Sequence, residues 1–282
     1  MTALQMAAFD LDGTLLAHGA LTGAAIRMLR ALRRNGVKVV IATGRHRGTV
    51  PLRLKRPGLV DYLICSNGAV VAPAKGAPLW EKTLSGPELG SLMALGRTFD
   101  CRYAVSLGKH TYLSKAEPLR RRKTDGGSDT KKYFWRYYMY PLHARAVNSW
   151  AAFLSGPCAG AEKVVCIPGD AGAEMRFRDA VAAEGRFTAT GSNRAAEITA
   201  PGVSKGSALQ ALAQRLGVPR AAIVAFGNDD NDLSMKPFAG RFVVAGNSSP
   251  AALAAADEVA DSIPAAALRL CLGGASREGK PW

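Results

Sequence analysis

The 282-residue chain carries 37 Lys and Arg against 22 Asp and Glu, a formal charge of +15, and 48% of it is hydrophobic. That size and apolar content support two packed domains, and the positive excess favours anionic partners without choosing between phosphorylated metabolites and nucleic acid. No run approaches the roughly 20 apolar residues of a membrane helix and no export signal precedes the first strand, so a cytoplasmic protein is expected; Cys65, Cys101, Cys158, Cys166 and Cys271 are odd in number and widely spaced, against disulfides or zinc.

In chain order, residues 6–9 form a short apolar run that reads as a buried strand opening onto the polar turn Asp10-Leu11-Asp12-Gly13-Thr14. Apolar residues recur at helical spacing over 22–35, with Thr22 placed to cap the helix and Gly36 to stop it. A β-branched run at 37–41 leads into Thr43-Gly44-Arg45, and a third strand at 62–65 leads into Ser66-Asn67-Gly68. Strands with polar residues at their carboxyl ends predict a parallel α/β sheet, with ligands bound beyond those ends.

From about residue 81 the pattern changes. Helices are expected at 87–98, 143–155 and 174–184, and a strand at 163–167. The stretch 109–145 is basic and aromatic, predicted as a charged loop at 120–130 followed by an aromatic strand at 131–138. His110 and His143 read as surface or packing residues. The α/β pattern returns with a helix at 205–216, strands at 222–226 and 242–245, and a helix at 250–256. The expectation is therefore one domain built from 1–80 and 189–282, with a second, 81–188, inserted; the tail after 272 is expected to fray.

Four sites carry chemistry. Asp10 and Asp12 flank a turn that re-aims the second carboxylate, so one can bind a metal and attack phosphorus while the other passes a proton to the leaving oxygen. Thr43 and Gly44, with Arg45, offer a hydroxyl and backbone N–H groups to phosphate oxygens at a strand end. Lys205 stands at the start of a helix, where the helix dipole disfavours a cation, which points to a partner such as a phosphate and the nucleophile. The loop Gly227-Asn228-Asp229-Asp230-Asn231-Asp232 gathers hard oxygen donors that suit magnesium.

The order of these motifs, with Asn67-Gly68-Ala69 and Ala245-Gly246-Asn247, resembles the haloacid dehalogenase superfamily of hydrolases. More narrowly it resembles the Cof-type subgroup, which carries a large α/β cap of class IIB inserted in a Rossmann-like core. The resemblance implies a Mg2+-dependent phosphatase of small phosphorylated metabolites such as sugar phosphates; the expected assembly, monomer or homodimer, is left open by the sequence. It implies Asp10 as nucleophile and metal ligand, and Asp12 as general acid/base giving its carbonyl to the metal. It further implies that Thr43, Gly44, Arg45, Lys205 and Asn231 contact phosphate, and that Asn228 and Asp232 serve the metal. The position of Asn228 usually holds an aspartate in that family, so one negative charge is missing here. Two other readings compete: a phosphomannomutase-like phosphosugar mutase, and a catalytically weak relative that uses its basic cap on polyanions. Nucleic acid is the less favoured partner, because nothing would preserve the nucleophile, acid/base and lysine in such a protein.

Overall fold

A computed structural model describes residues 3–17, 19–56, 58–115, 143–156, 160–170, 172–192 and 195–273. The expected features at 120–138 and the tail beyond Gly273 lie outside these residues. The chain divides into two compact units, Met1–Thr43, Pro51–Trp80 and Ser204–Trp282 in the first, Gly44–Val50 and Glu81–Val203 in the second. Both are mixed α/β, and the first is built on a mainly parallel sheet, as the sequence predicts.

The first unit holds an eight-stranded sheet ordered Glu258–Ala260, Arg241–Ala245, Ile223–Gly227, Met6–Phe9, Lys38–Ala42, Tyr62–Cys65, Val70–Pro73, Trp80–Glu81. The first six strands run parallel and Val70–Pro73 turns back antiparallel. Met6–Phe9 is central and wholly buried. A strand covered on both faces must be apolar at every position, which is why these four residues show no alternation. Register places Phe9 between Ile41 and Phe226, and the Phe9 and Phe226 rings stack with centroids 4.6 Å apart.

Helix Gly23–Arg34 starts where Thr22 accepts a hydrogen bond from the Ala25 N–H at 3.1 Å and buries Ala25, Ile26, Met28, Leu29 and Leu32. Near its end Arg33 pairs with Asp61 at 2.8 Å, and Asp61 also accepts from the Val39 N–H at 2.9 Å. Helix Lys205–Leu216 lays Ala208, Leu209, Leu212 and Ala213 on the sheet face formed by Met6, Ala8, Val40 and Ala42. Strand Glu258–Ala260 and helix Ile263–Leu272, capped by Ser262, complete the unit without having been anticipated.

The second unit has a six-stranded sheet ordered Ala144–Val147, His110–Ser114, Arg102–Leu107, Lys163–Ile167, Ala195–Thr199, Thr188–Ser192. Helices Gly86–Arg97, Trp150–Ser155 and Ala173–Ala183 accompany it. Two expectations need correction here. The helix predicted over 143–155 is a strand, Ala144–Val147, followed by a short helix that begins only after Ser149, whose hydroxyl accepts from the Ala152 N–H at 3.1 Å. The domain boundary predicted at 188/189 falls at 203/204, because Thr188–Ser192 and Ala195–Thr199 pair with each other and, through the latter, with Lys163–Ile167. Residues Gly44–Val50, expected in the core domain, also group with the second unit. His110 and His143 do make packing contacts, with Tyr112 and His46 respectively.

Gly206 shows how tightly the first unit is built. A Cβ there would lie 1.7 Å from the Ser234 carbonyl oxygen, a backbone atom that cannot swing aside. Gly206→Ala is expected to lower stability by about 3 kcal/mol or more, at the upper end of overpacking costs, read as a shift of the denaturant midpoint.

Candidate active site

Parallel register carries four polar segments to one end of the first sheet. Asp10 follows Phe9 and its N–H donates to the Phe226 carbonyl at 2.9 Å, so it stands beside Gly227 and the loop after it. On the other side, Thr43 follows Ala42, and its N–H donates to the Ile64 carbonyl at 2.8 Å. The Asn67 N–H then donates to the Thr43 carbonyl at 3.2 Å. Ser66 and Asn67 reach this position with φ of 51° and 56°, left-handed values that cost non-glycine residues about 1–3 kcal/mol each where the surroundings enforce them.

Lys205 lies at the centre. Its ammonium donates to Asp10 Oδ1 and Asp232 Oδ1, both at 2.7 Å, and to Asn231 Oδ1 at 3.3 Å. Lys205, Asp10 and Asp232 are all buried. The helix start that presents the lysine is fixed by a reciprocal cap: Ser204 Oγ accepts from the Ser207 N–H at 3.0 Å, and Ser207 Oγ accepts from the Ser204 N–H at 2.9 Å. The helix dipole's small penalty for a cation is outweighed by two carboxylates in contact with it. Burial alone would lower the Lys205 pKa; Asp10 and Asp232 overrule it and hold it above the ordinary value.

The remaining contacts order the 227–232 loop. Asp232 Oδ2 accepts from the N–H groups of Asn228 and Asp229 at 2.9 and 3.1 Å. With Oδ1 on Lys205, both oxygens of Asp232 serve the protein, and the residue ties loop to lysine. Asn231 Nδ2 donates to Asn67 Oδ1 at 3.4 Å, joining the ends of two non-adjacent strands. Thr14 Oγ1 donates to Asn228 Oδ1 at 3.0 Å, so the first turn is held against this loop as well as within itself. Gly13 has φ +89°, and a Cβ there would come within 2.6 Å of the Asn228 amide nitrogen. Asp12 is half-buried and bridges to Leu16.

These charges do not balance. Burial pushes the Asp10 carboxyl up to about 8; Lys205 pulls it down, while Asp232 and Asp12 push it up. Burial also raises Asp229, with Asp232 and Asp230 adding to the effect. Several carboxylates thus share one ammonium, a set that a divalent cation would relieve. No three His, Cys, Asp or Glu side chains among the described residues form a closed metal cage. Magnesium does not need one, since it keeps several waters and takes one or two carboxylates. The oxygens that could meet it are the Asp10 carboxylate, the Asp12 backbone carbonyl and the Asn228 amide, and the donor set fits.

Of the residues singled out from the sequence, Asp10, Lys205, Asn231, Asp232, Asn228 and Thr43 belong to the first unit, with Asp12 in the turn beside them. Gly44 and Arg45 group with the second unit. There Arg45 donates to the Thr49 carbonyl at 3.1 Å, and the Gly44 carbonyl accepts from Lys163 at 2.5 Å. Lys163 is buried and pairs with Glu197 at 2.9 Å. Sequence reasoning treated it only as the first residue of a strand. The available signal was a lysine opening an otherwise apolar run.

The residues 7–268 match the model of the haloacid dehalogenase-like hydrolases, and the chain belongs to this family. Among curated relatives it is 28% identical over 254 residues to the HMP-PP phosphatase of Cronobacter sakazakii, covering 89% of this chain and 87% of that one. Among solved structures it resembles a haloacid dehalogenase-like hydrolase from B. subtilis, with a TM-score of 0.80, 21% identity, and coverage of 95% of this chain and 99% of that one. The subclass IIB sugar phosphatase BT4131 is similar in fold, with a TM-score of 0.75, 19% identity, and coverage of 94% and 96%.

Lys205→Met would leave Asp10 and Asp232 buried together without a counter-charge. A loss of about 3–5 kcal/mol is expected, as for other broken buried pairs. The loss should be smaller in the double variant with Asp10→Asn, which removes one of the two charges. Denaturant unfolding of the single and double variants reads the difference.

Proposed function

We propose that the chain is a Mg2+-dependent phosphatase that hydrolyses small phosphate monoesters through an aspartyl-phosphate on Asp10. The observation that carries this reading is the buried Asp10 carboxylate at a strand end, in contact with an ammonium group and surrounded by uncompensated negative charge. A carboxylate attacks a phosphate dianion only if the charge between them is screened. Bound magnesium supplies that screening and polarises the phosphoryl group.

In the first step Asp10 Oδ attacks phosphorus while the bond to the leaving oxygen breaks, and Asp12 passes its proton to that oxygen. Thr43 and Asn231 hold the phosphoryl oxygens, and Lys205 neutralises the developing charge. Asp12, now a carboxylate, removes a proton from water, which attacks the aspartyl-phosphate and releases inorganic phosphate. Both steps are mainly positioning, which a buried and cross-braced cluster provides. The second unit serves as the cap that selects the alcohol portion of the substrate. The names of its relatives, an HMP-PP phosphatase and a sugar phosphatase, support a small phosphorylated metabolite as substrate.

Asp10→Asn is expected to abolish turnover of p-nitrophenyl phosphate, by about 10^3-fold or more as for loss of a covalent nucleophile, while the melting temperature stays at or above that of the parent. Free phosphate should be released without any bisphosphate activator; transfer back to the sugar in place of release would identify a mutase instead. Mg2+ should raise the melting temperature of the parent and not of Asp10→Asn, a readout independent of turnover. Asn228→Asp keeps an acceptor for Thr14 and adds a charge to the ligand set. It is expected to lower the Mg2+ concentration for half-activation by roughly tenfold, in line with the dependence of affinity on ligand charge.

A further inference from the structure

Away from the strand-end cluster, the first unit carries a second concentration of charge. Between Asp12 and Asp61 the chain contains ten Lys and Arg and not one Asp or Glu. Three of these basic residues, Arg30, Arg53 and Arg56, line a single pocket of about 200 Å³ together with Gly58 and Leu59. They come from separate elements. Arg30 is on helix Gly23–Arg34, Arg53 on the turn Leu52–Lys55, and Arg56 on the connection into strand Tyr62–Cys65. None of them belongs to the Asp10–Lys205 cluster.

The nearest acid in sequence is already engaged. Asp61 is held by Arg33 at 2.8 Å and by the Val39 N–H at 2.9 Å. Among the described residues, the side chains of Arg30, Arg53 and Arg56 have no ion pair or hydrogen bond. Three arginines lining one cavity place like charges together, and the three are exposed, while Leu59, which lines the same cavity, is buried. Guanidinium groups present flat forks of N–H donors that match phosphate oxygens two at a time. Three such groups call for an anion of about three charges. A cavity of about 200 Å³ is smaller than the roughly 300–1,000 Å³ of pockets that enclose a whole drug-sized ligand. It suits the phosphate groups of a metabolite better than a polymer.

We infer that Arg30, Arg53 and Arg56 form a second anion site on the first unit, one that binds a small diphosphate or triphosphate group in a place where no chemistry occurs. This inference does not rest on the phosphatase reading, and its test separates the two.

The test is calorimetric titration of inorganic tripolyphosphate into the full-length protein with EDTA present, comparing the parent, Asp10→Asn, the double variant Arg53→Glu/Arg56→Glu, and Arg30→Gln. The expected result is binding to the parent and Asp10→Asn alike. It should weaken at least about tenfold in the double variant, since each lost charged hydrogen bond is worth about 1.5–3 kcal/mol, and by a smaller factor in Arg30→Gln. Unchanged melting temperatures establish that the exposed substitutions leave the fold intact. If the parent is active on p-nitrophenyl phosphate with Mg2+, the double variant should retain that activity. Equal affinity in the parent and the double variant overturns the inference, as does no binding to the parent at millimolar tripolyphosphate. So does tight, arginine-dependent binding of single-stranded oligonucleotide or of vesicles containing a phosphoinositide that tripolyphosphate fails to displace.

Discussion

An ammonium group held between two buried carboxylates organises the first unit. Bringing Lys205, Asp10 and Asp232 out of water costs several kcal/mol per ion, and the attraction offsets that only where geometry is good and every remaining oxygen has a partner. At Asp232 the fold meets both conditions. Lys205 reaches each carboxylate at 2.7 Å, and the free oxygen of Asp232 takes two backbone N–H groups from the neighbouring loop. The cap at Ser204, the lack of a side chain at Gly206 and the positive φ values at Ser66 and Asn67 then follow as requirements of bringing these groups together.

The cluster is nonetheless incomplete as an electrostatic object. One ammonium cannot satisfy the carboxylates around it, and Asp10 is consequently pushed up to about 8, chiefly by burial. That upward push marks a site short of positive charge even with Lys205 in contact. Asn228 makes this balance milder than an aspartate at the same place would, because its amide brings an oxygen donor without a charge.

Much of this could be read from residues alone, because the strand-end motifs combine local patterning with chemistry. An uninterrupted apolar run such as 6–9 marks a strand buried on both faces, and Ser204 before Lys205 marks a helix start. The uses of individual oxygens were not legible. Asp232 looks like any acidic loop residue until its two oxygens are seen to be spent on Lys205 and on backbone N–H groups. Lys163 is hidden in the same way, since its partner Glu197 lies far along the chain. Thr188–Ser192 and Ala195–Thr199 escaped notice as strands because they are rich in Ala, Thr and Gly and have little apolar bulk. Residues 143–147 read from sequence as the beginning of a helix, because the cap that decides the matter, Ser149, comes after them.

The order of strands has a consequence for how the protein is made. Met6–Phe9 lies between Lys38–Ala42 and Ile223–Gly227, so one of its two neighbours leaves the ribosome roughly 200 residues after it. At roughly 5–20 residues per second, the central strand waits about 10–40 s for that neighbour. During this interval the residues of the second unit are nearly all synthesised as one continuous stretch and can collapse first. The earliest apolar strands meanwhile remain unpaired on one edge, an apolar border left open while the rest of the chain is being made.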